Sequence, residues 1–339
     1  MSIDIINMIA LTLLIISTII GACFATGAEL VVFFGSTGLP PAAIAIFVGI
    51  FLFAIMAVLV FFAHKNQNHI LKHAFTAVYF AIFVVMTAGL MHLGGTITTV
   101  LALVFCIFVV LYGFERLLFV NKYSMYFVLA ILLTATATNL KGTGDILGGT
   151  EPDLGRGLGM ALLYAGMNCC LLGPVFSSAL VKNSRRRVLV SCALATVIIC
   201  ILATLIMTAI RKQGVSAEMP LLELSNNLVT KAAVFLSIIT SMMICLYNIV
   251  TSFPHSKTPA DSPLAKGGAA LGAGGACLIA FGLSFLGFAK ALGIFYPVIG
   301  ACMILYVLGL VLLRCGKFFR HHFFVINNSV DRLQIVKNE

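Results

Sequence analysis

Apolar residues run in stretches of about twenty along almost the whole chain, separated by short polar loops. A helix rises 1.5 Å per residue, so crossing about 30 Å of hydrocarbon takes roughly 20 residues. Asp4 and Glu29 bracket the first stretch, and the apolar Leu30 to Phe34 extends it past the glutamate. Ala42 to Ala63 is the second. Between Ala74 and Phe114 nothing is charged unless His92 is protonated, and that length predicts two helices turning over at Gly94, Gly95 and Thr96. The remaining stretches are Tyr123 to Leu140, Gly157 to Val181, Val188 to Ile210, Ala232 to Pro254, Gly267 to Ala289 and Ala291 to Leu313. The pattern therefore predicts an all-α polytopic membrane protein of ten transmembrane helices.

Composition agrees. Of 339 residues 61% are hydrophobic and 9% charged, against roughly a quarter charged in ordinary soluble domains. The basic residues also sort by loop. With the amino terminus inside, fifteen of the twenty-one fall in cytoplasmic segments, including Lys65, Lys72, Arg116, Lys122, Lys182 and the Arg185 to Arg187 cluster. Lys141, Arg156, Arg211, Lys212, Lys231 and Lys290 fall on the other side. That is the positive-inside bias, and it predicts both termini in the cytoplasm. The net charge of +10 is thus a topology signal and implies no nucleic-acid partner. The ten cysteines lie in or beside apolar spans, so no disulfide framework is expected. His64, His69 and His73 share one cytoplasmic loop and are read as solvated.

A charge inside a span is costly and tends to be retained for function. Glu29 is the one acid inside a predicted span. It follows Gly21-Ala-Cys-Phe-Ala-Thr-Gly27-Ala, a run of small residues that makes a poor continuous helix, and a break is expected over Cys23 to Gly27. Span six has a matching irregularity, Tyr164-Ala-Gly-Met-Asn168-Cys-Cys-Leu-Leu-Gly173-Pro174, with a break expected over Ala165 to Gly173. The first helix of each five-span half is then interrupted. Interrupted helices at corresponding positions of two halves point to the binding site of an inverted-repeat transporter, and an odd number of spans per half forces the inversion. The expected repeats are 1–145 and 155–315, with 316–339 as a cytoplasmic tail.

The segment Ile20-Gly-Ala-Cys-Phe-Ala-Thr-Gly-Ala-Glu-Leu-Val-Val-Phe-Phe34 resembles the first helix of the YkvI-like bacterial membrane proteins, whose pattern reads roughly G-x-G-F-A-S-G-x-E followed by two aromatic residues. Tyr164 to Pro174 resembles that family's broken sixth helix. The chain departs from the first pattern at Ala22-Cys23 and Thr26. The resemblance implies the amino acid, polyamine and organocation superfamily, a LeuT-like 5+5 fold and the bacterial inner membrane. It further implies a sodium ion between carbonyls of the first helix, at Gly21 and Phe24, and the eighth span, where Ser237, Thr240 and Ser241 resemble the ion-binding hydroxyl pair and its neighbour.

The substrate expected at such a site is a small amino acid or an organic amine. N–H groups freed near Cys23, Thr26 and Gly27 open a half-helix whose dipole favours a carboxylate. Asn168 and Tyr164 would bond the other end, with Tyr79 and Phe83 as an aromatic wall. Glu29 would read a substrate ammonium or, as an alternative to sodium, carry a coupling proton. A channel or a substrate-sensing protein on the same scaffold is the other reading. The spans offer no zinc motif, no Gly-x-Ser-x-Gly and no aspartate pair, so neither an enzyme nor a cofactor is expected.

Overall fold

The computed structural model describes residues 3–20, 24, 26–62, 69–112, 114–140, 151–172, 175–176, 179–180, 183–213, 218–224, 227–252 and 263–336, with side chains described in all but 3–7, 62, 69–74, 112, 114–125, 263–266, 313 and 315–336. Among these residues there are eleven helices and no strand. They are α1 (Ile3–Ile19), α2 (Ala28–Phe34), α3 (Pro41–Phe62), α4 (His69–Tyr112), α5 (Phe114–Thr138), α6 (Leu154–Cys170), α7 (Arg185–Gln213), α8 (Pro220–Leu224), α9 (Leu228–Ser252), α10 (Pro263–Ser284) and α11 (Phe288–Val336).

Six of them are long and apolar enough to cross a bilayer: the segments Pro41–Phe61, Phe75–Leu111, Arg185–Gln213, Leu228–Ser252, Gly267–Ser284 and Phe288–Leu312. Large side chains on their outer faces, such as Ile97, Leu271, Leu278 and Leu305, are more than half exposed. That is the surface of a helical protein embedded in a membrane, where lipid covers what water would not.

The 37 apolar residues of Phe75–Leu111 are close to twice what one crossing requires. Gly95 divides them. Its backbone leaves helical geometry at φ 72°, ψ −174°, a conformation that glycine reaches without steric cost. The sequence places the turnover between spans three and four at this residue. The boundary between spans nine and ten differs from the sequence reading. It lies at Phe285 to Gly287, a few residues earlier, where Gly287 adopts φ 88°. Helix α11 also runs on through the expected tail to Val336.

Span one is interrupted. Helix α1 stops at Ile19, α2 begins at Ala28, and Gly27 between them is left-handed at φ 75°. Span six is interrupted only toward the end of the stretch where a break was expected. Residues Ala165 to Cys170 are helical, and the helix gives way at Leu171 and Leu172. One local bond and one close helix approach explain why Asn168 and Gly166 do not break it. Asn168 Nδ2 donates to its own helix at the Tyr164 carbonyl (2.9 Å), and Gly166 lets the Gly300 carbonyl of α11 lie against the backbone. The stop at Cys170 matches the proline four residues on, which has no N–H to offer the Cys170 carbonyl.

Helix α9 packs chiefly on α4 and α5, α3 on α7 and α6, α1 on α7, and α11 on α6 and α4. Helix α2 sits among α6, α11 and α7, so the short segment after the break in span one is surrounded by protein.

Candidate functional site

The centre of the molecule is built on one polar contact between the two interrupted spans. Glu29, in the first turn of α2, is 3% exposed. The hydroxyl of Tyr164 on α6 donates to its Oε1 at 2.9 Å. Phe33 and Phe34, one turn further along α2, meet the Tyr164 ring edge-on, with centroids 5.3 and 5.4 Å away. The carboxyl group is therefore held by one neutral donor inside an aromatic and aliphatic wall. A solvated helix end is not what the structure contains.

The N-terminus of α2 is largely satisfied from within. Gly27 N–H donates to the Phe24 carbonyl at 3.0 Å, and Ala28 N–H donates to Thr26 Oγ1 at 3.2 Å. Thr26 and Phe24 are fully buried. In this conformation the N–H groups of Gly27 and Ala28, at the place where the sequence offers donors to a substrate carboxylate, are bonded inside the chain. Cys23 and Gly21, expected beside them, lie outside the described residues.

Tyr79 and Phe83 stand one turn apart on α4, both buried. The Tyr79 hydroxyl has no hydrogen-bond partner among the described residues. The ring alone would be ordinary packing; the unsatisfied hydroxyl is what sets it apart.

On α9, Ser237 and Thr240 are buried and Ser241 is half-buried. The Thr240 hydroxyl donates back to the Ser237 carbonyl at 3.0 Å, a local bond that helical threonine commonly makes. The Phe24 carbonyl likewise already accepts from Gly27. Three of the oxygens expected for sodium, the Phe24 and Ser237 carbonyls and the Thr240 hydroxyl, are thus engaged within their own segments.

Neighbours absent from the sequence reading close the site from above. Ile210 at the end of α7 and Leu221 on α8 stand against Gly27; a Cβ there would come within 3.0 Å of Ile210 Cδ1 and 3.3 Å of Leu221 Cγ. Leu221 is 1% exposed and Met219 4%. No motif in the segment 218–224 marks it as a lid. A groove of about 530 Å3 between α4, α9 and α10, lined by Phe80, Ile249, Leu271 and Gly275 among others, contains none of the expected site residues.

The fold and this buried site define an all-helical membrane protein. No family model matches the chain, and no curated protein is significantly similar to it.

Proposed function

We propose that the chain is a secondary active transporter of a small amino acid or organic amine, working by alternating access, with Glu29 as its coupling group. The observation that carries this reading is the Tyr164–Glu29 hydrogen bond, which joins α2, just past the break at Gly27, to α6, whose helix ends at Cys170. A carboxylate with one neutral partner in an apolar interior is expensive. Glu29 is stable there when it carries a proton or meets a cationic ligand, and exchanging the two is a coupling step.

Two features support ten crossings in inverted repeats 1–145 and 155–315. The first is how loop ends meet. Asp153 N–H donates to the Thr37 carbonyl, Lys212 Nζ to that of Leu140, and Asn139 Nδ2 to that of Leu224. Each pair joins positions that ten alternating spans put on one side. Ser191 Oγ donates to the Met8 carbonyl, joining two positions on the other side. The second is the packing. Exchanging α1 for α6, α3 for α7, α5 for α11 and α4 for α9 turns the contact α1–α7 into α6–α3, α1–α5 into α6–α11, α5–α9 into α11–α4, and α5–α7 into α11–α3; all of these occur. On this reading the protein is not an enzyme, its home is a bacterial inner membrane with both termini inside, and the YkvI-like family is where it belongs.

Protein reconstituted in proteoliposomes and screened for counterflow of labelled amino acids and amines tests the proposal. A proton gradient should drive accumulation, and Glu29→Gln should lose at least about tenfold of it, equivalent to about 1.4 kcal/mol, while counterflow survives. Sodium coupling through Thr240 and Ser241 is favoured instead if a sodium gradient alone drives accumulation in Glu29→Gln. Absence of saturable counterflow for every compound would leave a channel or sensor.

A further inference from the structure

The turn that divides α4 and the segment that carries α8 are joined by one ionic contact. His92 Nδ1 lies 3.4 Å from Glu218 Oε2, and the side chains are 47% and 45% exposed. Neither makes another polar contact among the described residues. Of the described charged groups on this end of the bundle, Glu151, Asp153, Arg156, Lys212, Glu223, Lys231 and Lys290 form no ion pair with them within 4 Å. The four residues before Glu218 read Gly-Val-Ser-Ala and hold no ionisable side chain.

Glu218 opens the segment whose next residues bury themselves in the bundle. Met219, Pro220 and Leu221 are buried, and Leu221 rests against the left-handed Gly27. The far end of α8 is tethered by Asn139 Nδ2, which donates to the Leu224 carbonyl at 3.2 Å. That amide does not ionise. Of the two tethers, only the one at His92 contains an imidazole, the side chain type whose charge responds to pH in the physiological range.

We propose that His92 and Glu218 form an acid-strengthened latch that holds α8 shut over the break at Gly27. With His92 protonated the contact is an ion pair; with His92 neutral only a weak hydrogen bond is left. Exposed pairs of this kind shift an equilibrium by roughly 1.5- to 5-fold. The latch therefore tunes how often the lid opens and does not decide whether it can. Acid favours the closed lid, and neutral to alkaline conditions release it.

Hydrogen exchange of the full chain in lipid nanodiscs, read by mass spectrometry on a peptide spanning 218–224, measures lid opening directly. It does so whether or not the chain transports, so its failure is separate from a failure of the transport reading. After correction for the intrinsic pH dependence of exchange, with a peptide from 188–210 as internal reference, opening should be roughly 1.5- to 5-fold rarer at pH 5.5 than at pH 8.0. His92→Gln and Glu218→Gln should each abolish that difference. His92→Lys should hold the lid shut at both pH values. Both positions are exposed, so these variants fold. A pH difference that persists in Glu218→Gln, or a His92→Lys lid that exchanges at pH 8.0 as fast as wild type, overturns the latch.

Discussion

Tyr164 and Glu29 stand 135 residues apart in the chain, yet the tyrosine hydroxyl is the one hydrogen-bond partner of the glutamate side chain among the described residues, at 2.9 Å. Removing the donor leaves a buried acid with nothing to bond. Tyr164→Phe should therefore lower stability by about 1–3 kcal/mol, read as a drop in apparent Tm of the purified protein. Glu29→Gln keeps an acceptor for the same hydroxyl and should cost less. Combined with Glu29→Met, which removes the acceptor, Tyr164→Phe should cost less than it does alone, because either change already breaks the bond. Strict additivity would mean that the bond contributes nothing.

Gly27 is fixed both by its backbone and by what covers it. At φ 75° an L side chain is strained, and a methyl group would press on Ile210 and Leu221. Gly27→Ala should destabilise by about 1–2 kcal/mol from the backbone alone, with exchange in 218–224 rising as Leu221 is displaced. Unchanged exchange there together with unchanged Tm would show that the lid does not rest on this residue.

What could be read from the sequence was what depends on local chemistry and on length. The apolar stretches marked the helices, the uncharged length from Ala74 to Phe114 required a turnover, and Gly95 is where the backbone leaves the helix. The small-residue run before Glu29 marked the interruption that ends at Gly27. The interruption in span six was drawn to start too early, because Gly166 and Asn168 were counted as breakers. Each is instead satisfied in place, one by the backbone of α11 and one by its own helix, so the helix persists to Cys170. Leu221 over Gly27 was invisible, since a leucine in a polar loop carries no mark of the residue it will cover. The same holds for the His92–Glu218 contact, which exists only because the turn of α4 and the start of α8 reach the same end of the bundle.

Glycines on α10 and α11 separate a close helix contact from an open position. A Cβ on Gly300 would overlap the Leu163 carbonyl across the interface. Gly274 on α10 has no neighbouring atom within 4 Å of where its Cβ would be. Gly300→Ala should thus cost at least about 1–3 kcal/mol through forced separation of the helices, whereas Gly274→Ala should be neutral or stabilise by up to about 1 kcal/mol through helix propensity. The pair is measured by thermal unfolding in the same detergent. Equal effects would mean that α6 and α11 are not in the close contact described.

Tyr79 gives the sharpest separation of stability from binding. Its hydroxyl is buried without a partner among the described residues, and an unsatisfied hydroxyl in an apolar interior costs about 1–3 kcal/mol. Nothing in the folding of the empty protein offsets that cost, so Tyr79→Phe should raise the apparent Tm in the absence of ligand. A substrate whose polar group meets the hydroxyl would reverse the balance. A ligand of the native state raises stability by mass action, and that ligand-dependent rise should be smaller in Tyr79→Phe than in wild type for any compound that shows counterflow. A variant that is less stable when empty would mean that the hydroxyl is bonded after all, and an undiminished ligand shift would remove Tyr79 from the substrate site while leaving its ring as packing beside Phe83.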